Sequence, residues 1–222
     1  MPATLPLSSQ LINLGAALLL LTSFAMLSQR RIVSLVNLYA MQGFVLSAST
    51  AVVAYTSGQH HLYASAALSL VLKVIVLPFI LHRLVRRLDV RWDSEPLLNN
   101  TATMLVAIVL VVFAFGLAQP ISQLATTIAR STLGIALAAV MLAFLMMITR
   151  RKALSQVIGF LAMENGLFFA ATGATYGMPM VVELGVALDV LVGMLILGVF
   201  FFQIREQFDS LDLQHLERLK EE

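Results

Sequence analysis

The chain has 222 residues, of which 59% are hydrophobic and only 12% charged, with a net charge of +2 and a mean hydropathy of +0.91. Ordinary soluble domains carry about one-quarter charged residues, so a water-soluble globular fold is excluded and a membrane protein is implied. Cysteine is absent, which removes any disulfide framework, thiolate nucleophile or thiolate ligation of zinc or an iron-sulfur cluster.

The opening stretch MPATLPLSSQ carries no positive charge before its apolar run, so it does not fit a cleaved secretory signal and the first helix is expected to persist. Spans are predicted at 11–29, 32–56, 62–81, 101–119, 131–149, 154–175 and 180–203, each close to the roughly 20 apolar residues that cross a bilayer. The fold class is therefore an all-α polytopic membrane protein of seven transmembrane helices. Alternating the spans places Arg30, Arg31, Arg83, Arg86, Arg87, Arg91, Arg150, Arg151, Lys152, Arg205, Arg218 and Lys220 on one side and only Arg130 on the other. Positive charge marks the cytoplasmic side, which puts the N-terminus outside and the C-terminus in the cytoplasm. These basic residues flank apolar spans instead of forming one aromatic-interleaved patch, so the pI of about 9.2 points to topology and not to nucleic acid.

The segment HRLVRRLDVRWDSEPLLNN begins as a basic continuation of the third span and ends in a loop. The last segment, from Arg205, sets Phe208, Leu211, Leu213, Leu216 and Leu219 among charges. It reads either as a solvated helix end or as an amphipathic tail that docks on a partner.

Self-similarity organises the spans. SLVNLYAMQGFVLSAS in the second matches QVIGFLAMENGLFFAA in the sixth, each following an Arg pair, so that Gln42 corresponds to Glu164. LVLKVIVLPFIL in the third matches VALDVLVGMLIL in the seventh, so that Lys73 corresponds to Asp189. Two three-helix repeats joined by one linking helix are expected, and because a single helix separates them they are parallel. The organisation is then a first repeat over 1–81, a cytoplasmic loop, linking helix and outer loop over 82–130, a second repeat over 131–203 and a cytoplasmic amphipathic tail over 204–222.

Charges inside the spans are the chemistry-bearing residues. At 1.5 Å rise per residue, Glu164, Lys73 and Asp189 lie roughly 16, 17 and 14 Å into their spans, near mid-membrane. An Asp or Lys there costs about 2.5–3.5 kcal/mol, so such residues are paired, neutralised or hydrated, and they mark ion or proton pathways. The alternatives are a protonated, hydrogen-bonded Glu164 and a structural ion pair between Lys73 and Asp189. Glu183 lies only about 5 Å inside its span, within reach of headgroup water. Asn165 and Gly166 support Glu164, one by sharing a hydrogen bond and the other by admitting a close neighbour. Gln42 and Asn37 are amides that bond across helices or hold water, and His82 at the cytoplasmic end is suited to passing protons at neutral pH. His60 and His61 read as an outer turn. No metal set, phosphate loop or catalytic motif is present in the sequence, so no catalytic, cofactor-binding or metal residue is expected.

Residues 130–205 resemble the three-helix K subunit of respiratory complex I and the related small subunit of Mrp antiporters, through the Arg pair before an acidic helix and a second acid followed four residues later by Gly193. The whole chain is similar to component E of hydrogenase-4, through LKVIVLPFIL, FGLAQPI, QVIGFLAMENG, VVELGVALDVL and DSLDLQHLERLK. It departs from the K pattern in that Glu164 follows Gly159 by five residues and the second acid is Asp189. The resemblance implies a non-redox, multi-pass subunit of a prokaryotic inner-membrane assembly, beside an antiporter-like subunit and, indirectly, a nickel-iron hydrogenase-like peripheral arm. It implies no cofactor of its own and a proton pathway through Glu164 and Asp189, with Lys73 and Glu183 in support. The competing expectations are a structural scaffold subunit and a stand-alone secondary transporter.

Overall fold

In hydrocarbon, an apolar segment must satisfy its backbone hydrogen bonds internally, and a helix does so within one segment. The computed structural model describes residues 6–88, 99–124 and 127–175, together with residues 185, 188, 191–193 and 195. The chain divides into two compact units, Met1–Val186 and Ala187–Glu222. In the second unit, residues 188, 191–193 and 195 are helical; most of the seventh predicted span and the whole tail lie outside the described residues.

The first unit contains α1 (Leu7–Ser28), α2 (Ile32–Ser57), α3 (His61–Leu70), a π-helical segment (Val71–Val76), α4 (Leu77–Leu88), α5 (Asn100–Leu124), α6 (Thr127–Thr149) and α7 (Ala153–Thr175). Six stretches are long and apolar enough to cross a membrane, the third running continuously from His61 to Arg87 through α3, the π segment and α4. The chain is thus all-helical among the described residues and multi-pass in character. The basic continuation expected after residue 81 is helical to Leu88.

Three helix ends differ most from those predicted. The linking helix was expected to end at 119 and the next to begin at 131; α5 continues to Leu124 with Pro120 inside it, and α6 begins at Thr127. A single proline removes one donor from the ladder, and residues 121–133 contain no glycine and no further proline to stop a helix. Helix therefore occupies much of the outer loop expected within 82–130. The first helix also starts earlier, at Leu7 after the extended Pro6, because a proline just ahead of the first turn leaves no helical bond unmade. Between α2 and α3, Gly58 adopts φ 67°, a left-handed cap that spares any larger residue a strained backbone.

The π segment is the one element with no hydropathic signature. Its end is marked by the Leu77 N–H, which bonds back to the Leu72 carbonyl, five residues earlier. Pro78 follows at once. Proline brings no N–H and its ring crowds the carbonyl four residues before it, here Val74 within the segment, which favours a wider turn.

Packing brings α1 against α2 and α6, α2 against α7, and α6 against α5 and α7, while the third span packs on α2. Ile12, Ala16 and Leu19 of α1, Leu46 and Val53 of α2, Ala136 and Ala139 of α6 and Phe168 and Phe169 of α7 share one buried cluster. Lipid is as apolar as these side chains, so close approach rather than the hydrophobic effect holds such helices together. A Cβ on Gly166 would lie 2.9 Å from Val140 Cγ2 and 3.3 Å from its backbone nitrogen, which shows how near α7 runs to α6.

Arg150 departs from its expected place among surface topology residues. It is only 4% exposed, and its Nη2 donates to the carbonyls of Leu27 at 2.9 Å and Gln29 at 2.6 Å. The C-terminal end of α1 leaves carbonyls without helical donors, and the guanidinium from the end of α6 supplies them. Gln156 Nε2 in turn donates to the Arg150 carbonyl at 2.8 Å. The α1–α2 and α6–α7 joints are therefore tied at one end of the bundle.

Candidate functional site

Three helices supply the buried polar residues, and each does so from an otherwise apolar stretch. On α7 the run AMENG places Glu164 and Asn165 side by side, 4% and 0% exposed. On α2 the matching run AMQG places Gln42, fully buried. The π segment supplies Lys73, also fully buried. π turns inside helices occur mostly as local widenings and frequently at functional sites.

Lys73 Nζ donates to Glu164 Oε2, forming a buried ion pair. The Phe168 ring, one turn beyond Glu164 on α7, sits with its centroid 5.9 Å from the same ammonium, close enough for cation–π attraction. Asn165 Nδ2 donates to Gln42 Oε1 at 3.2 Å. Gln42 Nε2 donates to Ser23 Oγ at 3.0 Å, and Ser23 Oγ donates to the Leu19 carbonyl at 2.9 Å. A continuous polar row thus crosses from α7 through α2 to α1, with the ion pair beside its α7 end.

Glycine admits the pair. A Cβ on Gly43 would lie 2.9 Å from Lys73 Cβ and 3.4 Å from its backbone carbon and oxygen, so α2 touches the π segment at the turn that bears the lysine. Gly43→Ala is expected to lower the thermal unfolding midpoint of the solubilised protein, reflecting overpacking of about 1–3 kcal/mol. Gly116→Ala, with nothing within 4 Å of its Cβ, is expected to cost nothing, since alanine is favoured over glycine in a helix by about 1 kcal/mol. Equal shifts for the two variants would refute the close-contact account. Gly185 performs a similar service on the other side: a Cβ there would lie 2.7 Å from Phe168 Cδ2 and 3.7 Å from Glu164 Oε1.

Of the expected residues, Lys73, Glu164, Asn165 and Gln42 therefore meet in one place. Repeat correspondence set Lys73 against Asp189, with a structural ion pair between them as one alternative; among the described residues the ammonium pairs with Glu164, while Asp189 and Glu183 lie outside the described residues. His82 stands apart, half-buried on α4, with Nδ1 2.8 Å from the Pro78 carbonyl on its own helix. Ser23, Gly43, Phe168 and Gly185 were not singled out from the sequence. Gly43 had a signal, since it follows Gln42 as Gly166 follows Asn165. Ser23 and Phe168 had none, because a serine and a phenylalanine in a membrane helix are unremarkable until a neighbour is known.

An ammonium and a carboxylate buried together provide two groups that exchange protons and whose proton affinities depend on the distance between them.

The chain is 32% identical over 214 residues to the uncharacterized protein Rv0085 of Mycobacterium tuberculosis strain ATCC 25618 / H37Rv, an alignment that covers 96% of this chain and 97% of that one. It is 25% identical over 212 residues to the hydrogenase-4 component E of Escherichia coli K12, covering 96% of this chain and 98% of that protein, a distant homology along nearly the full length. The hydrogenase-4 component E of Shigella flexneri aligns to the same extent. No family model and no solved structure matches the chain.

Proposed function

Because the chain belongs to one family with that mycobacterial protein and is a distant homologue of hydrogenase-4 component E, we propose that it is a membrane subunit of a hydrogenase-4-like, complex I-like assembly and forms part of its proton-translocation pathway. The observation that carries the reading is the buried Lys73–Glu164 pair on a π turn. Intramembrane ionisable residues are rare and mark ion or proton routes. A small movement of Lys73 alters how firmly Glu164 holds a proton, which is the property a relay needs. The wide turn supports such movement because its hydrogen bonds have an alternative α-helical register.

In this reading Asp189, the repeat counterpart of Lys73, is a second proton-handling acid, and Glu183 lies toward the outer exit. The two parallel three-helix repeats, the N-outside orientation and a prokaryotic inner-membrane location belong to the same proposal. An antiporter-like subunit is the immediate neighbour, and a nickel-iron hydrogenase-like arm supplies the electron transfer. Residues 130–205 stand in for the K subunit of complex I.

Affinity purification of the tagged chain from its native membranes tests the assembly: an antiporter-like subunit and a nickel-iron hydrogenase-like large subunit are expected to co-purify. In that complex, Asp189→Asn is expected to lower protons moved per electron about tenfold or more, the scale typical of losing one proton-transfer group. A chain that purifies alone, or an Asp189→Asn complex with unchanged stoichiometry, contradicts the corresponding part of the proposal.

A second reading, a scaffold subunit, is favoured by the same hydrogen bonds: Lys73–Glu164 and Asn165–Gln42–Ser23 tie the third span, α7, α2 and α1 together. It differs in requiring charge balance and nothing more.

A further inference from the structure

Buried hydroxyls in this bundle have a settled habit. Ser47 and Thr50 on α2, Thr149 on α6 and Thr172 on α7 each donate to the carbonyl four residues earlier on their own helix. That is the ordinary way for serine and threonine to be satisfied inside an apolar helix. Ser69 breaks the habit. It is 1% exposed, lies one turn before Lys73 on the same span, and its Oγ has no hydrogen-bond partner among the described residues.

Ser155, fully buried on α7, breaks it likewise, but beside the ion pair the second orphan atom belongs to Asn165. Its Nδ2 is used on Gln42, but its Oδ1, equally buried, has no partner among the described residues. Both orphan atoms belong to residues adjacent in the chain, or one turn away, to the two members of the ion pair. Each unsatisfied buried group costs about 1–3 kcal/mol, and in a bilayer no lipid atom relieves it. A water molecule is held in a protein interior where it finds two to four polar partners. The lysine ammonium brings three donors and the carboxylate two acceptor oxygens, so the orphans and the pair together offer such a set.

We propose that Asn165 Oδ1 and Ser69 Oγ hold ordered water against the Lys73–Glu164 pair. The ligand class is water itself, bound at membrane depth by a hydroxyl, an amide oxygen and a charged pair. Neither an amide nor a hydroxyl between apolar helices carries net protons well by itself, and bound water completes the connection. That use of the water rests on the proton-pathway reading above; the water site rests only on the unsatisfied groups.

X-ray hydroxyl-radical footprinting of the full chain in lipid nanodiscs tests it, because radicals form from bound water and attack the side chains beside it. Phe168, whose ring faces Lys73, and its neighbour Phe169, buried to the same 4% in the same apolar cluster, form an internal pair. Phe168 is expected to be modified about fivefold faster or more than Phe169, since only its surroundings hold water. With Ser69→Ala and Asn165→Leu combined, the Phe168 rate is expected to fall to that of Phe169. Equal slow rates in the unaltered chain, or an unchanged Phe168 rate in the double variant, overturn the proposal. Should the double variant not accumulate, Ser69→Ala alone decides: a fall of about twofold is expected from the loss of one of the water's few partners, and no fall overturns it. Fast Phe168 modification alongside unaltered proton stoichiometry in a pair-free complex would sustain the water site and overturn the proton reading alone.

Discussion

If the chain serves in the proposed assembly, replacing Glu164 by Gln is expected to abolish most of its proton translocation and to weaken the subunit's hold there. The carboxylate is 4% exposed and faces a fully buried ammonium. Removing one member of a buried pair strands the other charge, at a cost of about 3–5 kcal/mol. That single variant lowers both assembly and pumping, and so does not separate a relay from a scaffold. The charge-free combination Lys73→Met with Glu164→Gln does. Replacing a buried pair by neutral residues of similar volume is often neutral or stabilising by about 1–4 kcal/mol, so assembly is expected to return. Protons moved per electron are expected to stay about tenfold or more below the unaltered complex, because no titrating group remains at the site. Subunit stoichiometry after purification and proton uptake by vesicles containing the complex give the two readouts. Recovery of both would favour the scaffold reading and remove Glu164 from the pathway.

The second large effect is structural. Arg150→Ala is expected to lower stability by about 2–4 kcal/mol, since hydrogen bonds from a charged donor contribute about 1.5–3 kcal/mol each and this guanidinium makes two to the end of α1. Arg150→Lys is expected to recover less than half of the loss. Both bonds come from Nη2, and a lysine retains the charge but carries its nitrogen one bond nearer the backbone, on a more strongly hydrated group. Arg151→Ala, one residue on and exposed, is expected to change stability by about 1 kcal/mol or less, as exposed charges generally do. Thermal unfolding of the solubilised chain, followed by helical circular dichroism, ranks the three. A loss for Arg151→Ala as large as that for Arg150→Ala would show that general basicity matters and the carbonyl cap does not.

Hydropathy alone located the six described spans, because a bilayer demands long apolar helices and tolerates few alternatives. It also singled out Lys73, Glu164, Gln42 and Asn165, since a polar residue stands out against such a background. Helix ends were less legible. The span predicted to end at 119 runs on through Pro120 to Leu124, since one proline removes a single donor and no other breaker follows it.

What hydropathy cannot encode is which buried group faces which. Internal similarity set Lys73 opposite Asp189 by position in a repeat and gave no sign of the Lys73–Glu164 pair, which depends on the packing of the third span and α7 on α2. The π turn depends on Pro78 and on the local ladder, neither of which alters the apolar pattern. Arg150 reads in sequence as one more basic residue beside a span, and only the approach of the α1 and α6 ends turns it into a buried cap. The amino-acid sequence thus determined that this chain crosses the membrane repeatedly and which of its residues are costly there. The tertiary structure decided how that cost is met, because a buried charge or carbonyl is satisfied by whichever group helix packing brings within hydrogen-bond reach.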